Sequence, residues 1–111
     1  MENVIKVIMG IKGMCDKAKE CGSQDADFLS TLCAAACAAA LKETEELSKG
    51  NAPTASIGAF YEAISTSYDN DVKALYIRQV EAFIREGIPF QPAISLTMAK
   101  VTVERLLAEA A

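Results

Sequence analysis

At 111 residues, 51% hydrophobic and 23% charged, the chain has the size and composition of one globular domain spanning 1–111. Eleven basic against fifteen acidic residues leave a net charge of −4, which argues against nucleic acid or an anionic membrane surface as a partner. No segment reaches the ~18 apolar residues of a membrane span and no secretory signal is read, so the expected address is cytoplasmic, with the four cysteines reduced.

The first predicted helix runs from about Glu2 to Cys21. At about 100° per residue, Val4, Val7, Ile8, Ile11, Met14, Cys15, Ala18 and Cys21 share one broad face. Lys12, Asp16, Lys19 and Glu20 lie opposite or at its edge, and Ile5 and Met9 stand on the polar side, one turn apart. Gly10 and Gly13 weaken the middle by roughly 1 kcal/mol each relative to Ala, a cost that close approach of another backbone would explain.

Gly22-Ser23-Gln24 ends this helix, and Ser23 or Asp25 caps a second one reaching Ser48. Its stretch Phe28–Leu41 carries no charge and sets Cys33 and Cys37 one turn apart among alanines. Leu29, Leu32, Cys33, Ala36, Ala40 and Leu47 form its expected buried stripe. So small and apolar a segment is expected at the centre of the fold, with the other helices around it. Beyond Leu41 the polar run with Glu43, Glu45 and Glu46 is read as a solvated face.

After the Asn51-Ala52-Pro53 loop a third helix aligns Ile57, Phe60, Tyr61, Ile64 and Tyr68. A fourth, capped by Asp69 or Asn70, aligns Val72, Tyr76, Ile77, Val80, Phe83 and Ile84, and Gly87 and Pro89 end it. A fifth runs from about Pro92 to Glu109 with two apolar faces: Leu96, Ala99, Val103, Leu106 and Leu107 on one, Ile94, Met98, Val101 and Ala108 on the other. A helix apolar on two sides is either buried within the fold or shared with a partner. The fold class expected is all-α: a compact, mostly antiparallel helical bundle of four long helices plus one short helix.

The cysteines allow chemistry. With the turn centred near residue 24, Cys15 lies nine residues before it and Cys33 nine after, so an antiparallel hairpin sets them at one height; Cys37 is a turn further along. Cys21 sits about 9 Å from Cys15 along the helix axis and about 120° around it, which rules against a site using all four thiols. There is no C-x-x-C pair and no His, so zinc-finger and thioredoxin-type motifs are excluded. Over residues 33–37 alone the pattern resembles the C-x-x-x-C pairs on helix faces of bacterial copper-storage bundles. Those line a bundle with many more cysteines plus Met and His ligands, so storage is out of reach here. Three readings stay open: thiols as small packing residues, a Cu(I) or Zn site from Cys15, Cys33 and Cys37, or a redox-sensitive pair of Cys15 and Cys33. Packing is favoured, and no cofactor is expected.

Absence of His removes the commonest general base, no phosphate loop or nucleophile elbow occurs, and the basic residues are scattered along the sequence. In Gly87-Ile88-Pro89-Phe90-Gln91-Pro92, Ile88 and Phe90 beside prolines either cover the core's end or form a rigid docking knob. The function expected is therefore non-enzymatic: a small helical protein acting through protein–protein contact, as a homo-oligomer or with another protein. The candidate contact residues are Ile5, Met9, Ile94, Met98, Val101, Ile88 and Phe90. The alternative is the soft-metal or redox-sensitive thiol protein built on Cys15, Cys33 and Cys37.

Overall fold

The structure, a computed structural model, describes residues 2–20, 26–50, 62, 65–66 and 69–110. Among them are four helices and no strand: α1 (Glu2–Glu20), α2 (Ala26–Ser48), α3 (Asn70–Arg85) and α4 (Phe90–Ala110). The third helix expected from sequence lies outside the described residues except for Glu62, Ser65 and Thr66, which are helical. A radius of gyration of 13.9 Å is close to the roughly 13 Å of a folded domain of this length, so the chain is compact and all-α.

The helix ends follow the local chemistry. Gly50 and Gly87 take positive φ, 85° and 92°, where an L side chain costs about 1–2 kcal/mol. At Gly87 the Ile88 N–H donates to the Phe83 carbonyl and the Gly87 N–H to the Ile84 carbonyl, both at 3.0 Å. This paired closure folds the next residue back onto the helix, and Ile88 joins Phe83 in the core. The same loop is pinned to the start of α1, where Asn3 Nδ2 donates to the Glu86 carbonyl at 3.1 Å. Asp69 holds the N-cap position of α3, but its side chain makes no capping hydrogen bond.

α4 begins at Phe90, earlier than Pro92. The Ala93 N–H donates to the Pro89 carbonyl at 3.0 Å, so Pro92 lies within the first turn, where no N–H is needed. Among the described helices, α4 packs against α1, α2 and α3, and α2 packs against α1 and α4. Leu96, Ala99 and Val103 of α4 enter the main core, while Val101 buries against Tyr76 and Val80 of α3. Both apolar faces thus contribute to packing inside the chain, with Met98 and Ala108 of the second left exposed.

On α1 the buried stripe is Val4, Ile8, Ile11, Cys15 and Ala18, as its periodicity requires. A Cβ added at Gly10 or Gly13 would meet nothing within 4 Å, so no other described part of the chain approaches these glycines closely. α2 is rotated relative to expectation. Its buried line is Cys33, Cys37, Ala40 and Thr44, and Leu32 is turned outward. Small side chains in the seam let α2 approach α1 and α4 closely, and the larger Leu32 and Phe28 are left on the outer side.

Candidate functional site

The rotation of α2 places Cys33 and Cys37, one turn apart, in the seam facing α1. Cys15 meets them from α1, and all three are free buried thiols in the main core. The Cys15 and Cys33 thiols lie within hydrogen-bonding reach of each other, and Cys37 is close enough to feel Cys15. Cys33 also donates weakly to the Ala99 carbonyl of α4 at 3.8 Å, so this sulfur touches three helices. The Cys15–Cys33 juxtaposition follows from their equal distance to the turn. Cys21 lies outside the described residues.

Electrostatics here oppose thiolate chemistry. Burial pushes the Cys33 thiol up to about 12, helped by its hydrogen bond to Cys15 and by the neighbouring Cys15 and Cys37. Burial also raises Cys37, as does Cys15, while Lys12 of α1 pulls it partly back. The thiolate is the form that attacks and ligates, and this pocket disfavours it at neutral pH. Among the described residues no group of three or more His, Cys, Asp or Glu side chains is disposed to hold a metal ion. What the arrangement does directly is fill part of the main core between α1, α2 and α4.

Outside this seam the same helix presents an apolar surface. Phe28 is 66% exposed and Leu32 45%, one turn apart on α2. Leu32 and Met98 of α4, 36% exposed, line one cleft of about 260 Å³ together with Cys33, Ala36, Ala99 and Thr102. At 100° per residue, Phe28, Leu32, Ala35 and Ala39 fall within an arc of about 60°. The patch is therefore an apolar stripe on a thin helix beside a shallow cleft over the thiols.

The contact residues expected from sequence divide into two sets. Ile88 and Val101 are buried within the chain, the first by the turn at Gly87 and the second by α3, so neither stands out as an exposed contact residue, although Val101 lines a cleft between α3 and α4. Phe90 and Ile94 are half-buried and pack against Tyr76, Val80 and Val101. Met98 remains exposed, as do Ile5 at 44% and Met9 at 68% on α1.

Three features escaped the sequence reading. Glu43 is only partly solvated: Ser95 of α4 donates to its Oε1 at 2.7 Å, and its Oε2 is buried with no partner among the described residues. Burial raises its carboxyl above the ordinary range, partly offset by Ser95. Only the exposed surroundings of Glu43 were legible, because its partner lies 52 positions away. Lys12 near Cys37 was within reach of the register argument, since they stand twelve before and thirteen after residue 24. Periodicity does not place Phe28 and Leu32 on the outer side, because a helix apolar all round gives it no contrast to read. No family model, curated protein or solved structure matches the chain.

Proposed function

We propose that this is a cytoplasmic protein of non-enzymatic role that works through protein–protein contact, and that it self-associates through the outer face of α2 in a mostly antiparallel bundle. The observation that carries this reading is the exposure of Phe28 and Leu32 beside Met98. Exposed apolar side chains that group in one place mark contact surfaces far more often than isolated ones do.

The choice of a second copy rests on charge. Two chains of net charge −4 repel each other over most of their surface. The Phe28–Leu41 stretch carries no charge and extends about 20 Å along the helix. Its exposed Ala34, Ala35 and Ala38 permit close approach, and a self-complementary patch of this kind suits a two-fold contact. Light scattering across a concentration series tests this. A mass rising toward twice the 11.8 kDa of the chain supports the reading; a constant single-chain mass contradicts it.

A thiol role is the second reading, supported by the juxtaposition of Cys15 and Cys33 with Cys37 one turn along; with no three-ligand group disposed for a metal among the described residues, it takes the form of a two-thiol site. Cu(I) is the ion best suited to such a site, because its affinity for sulfur can displace protons from raised thiols. Anaerobic Cu(I) titration should then give one equivalent bound, lost in Cys33→Ala. Binding unchanged by that substitution would refute it.

A further inference from the structure

The chain contains three arginines, Arg78, Arg85 and Arg105. They are far apart in sequence, yet all three line one cleft of about 530 Å³ between α3 and α4. Its floor is apolar, formed by Leu75, Ala82 and Val101. Leu75, Arg78, Ala82 and Arg85 recur at the spacing of one helix face, and Arg78 and Arg85 stand about 10 Å apart along it. Arg105 faces them from α4.

Against a chain of net charge −4, this gathering is a local reversal of sign. The one acidic residue in the lining, Glu104, is held 3.7 Å from Lys100 on its own helix. No ion pair among the described residues engages any of the three guanidiniums. All three arginines are exposed, so no packing requirement explains why they gather there. Arginine, rather than lysine, suits planar two-pronged recognition of carboxylate or phosphate.

We propose that the α3–α4 cleft binds an amphipathic organic anion, with a phosphate or carboxylate head held by the arginines and an apolar tail on the Leu75–Ala82–Val101 floor. The volume lies within the ~300–1,000 Å³ of small-molecule sites. A docked helix fits less well. The α3 wall from Leu75 to Arg85 runs only about 15 Å, under three turns, too short to bury the roughly 800 Å² per partner of a stable protein contact. This site uses α3 and α4 and is independent of the α2 surface.

Isothermal titration of the full chain with dodecyl phosphate below its micelle concentration tests the proposal. Saturable one-to-one binding is expected, at least tenfold tighter than inorganic phosphate, with no saturable binding of dodecyltrimethylammonium. Arg78→Gln and Arg105→Gln should each weaken binding at least tenfold, with unchanged circular dichroism, as both side chains are exposed. Leu75→Asp should weaken dodecyl phosphate but leave inorganic phosphate nearly unchanged. Equal binding by the arginine variants, equal binding of the ammonium surfactant, inorganic phosphate as tight as dodecyl phosphate, or preference for an acidic helical peptide would each overturn it.

Discussion

The Ser95 hydroxyl donates to Glu43 Oε1 at 2.7 Å and so ties α4 to α2 beside the core. The second oxygen of the same carboxylate is buried without a partner among the described residues. One half of the group is thus satisfied and the other is not, and burial outweighs Ser95 in raising the carboxyl above its ordinary 4.5.

The sign of the pH effect follows. Between the unfolded value near 4.5 and the higher folded one, the native state binds more protons than the unfolded state. Stability is therefore full below about 4.5 and falls as pH rises through the folded value. Glu43→Gln keeps an acceptor for Ser95 and removes the charge. It should raise stability at neutral pH and flatten the dependence of the urea midpoint on pH above about 4.5. Ser95→Ala should cost about 1–3 kcal/mol, because Oε1 then also loses its partner.

Cys33 has the same sign at higher pH. Unfolded, it ionises near 9.0; folded, it holds its proton to about 12. The unfolded state loses protons first, so stability should decline as pH rises from 9 toward 12, and Cys33→Ala should reduce that slope. At pH 8 a thiol reagent should modify Cys33 of the native protein only at the rate of opening, slowing as the protein is stabilised. Immediate modification without loss of helicity would show the thiol to be accessible.

Thr97 lies fully buried in α4 with no hydrogen-bond partner for its hydroxyl among the described residues. An unpaired buried hydroxyl costs about 1–3 kcal/mol. Thr97→Val, which replaces it with a methyl of similar shape, should stabilise the protein by about that amount in urea unfolding. A loss of stability would instead place a partner on that hydroxyl.

Much of the fold was legible because it follows from local rules. The α1 stripe from Val4 to Ala18 and the stop at Gly87 depend on period and backbone geometry alone. The pairing of Cys15 with Cys33 needed only a short turn and equal spacing from it. The face of α2 was not legible, because periodicity reports a buried side only where a polar side contrasts with it. Between Phe28 and Leu41 there is no such contrast, and packing against the other helices buries Cys33, Cys37 and Ala40 rather than Leu32. The Glu43–Ser95 pair and the arginine cleft were hidden for a different reason. Arg78 and Arg105 are 27 positions apart, and only the packing of α3 on α4 brings them to one cleft. Residues scattered in sequence are not thereby scattered in space.

The outward turn of Leu32 is the feature on which the proposed self-association depends. Sedimentation equilibrium of the parent chain and Leu32→Asp, at matched concentrations and with urea midpoints recorded for both, tests it most directly. The parent should approach twice its 11.8 kDa mass as concentration rises. Leu32→Asp should remain at the single-chain mass with its midpoint little changed, since an exposed position outside special contacts shifts stability by about 0.5 kcal/mol or less. A parent that stays monomeric, or a Leu32→Asp chain that dimerises as the parent does, would contradict the account.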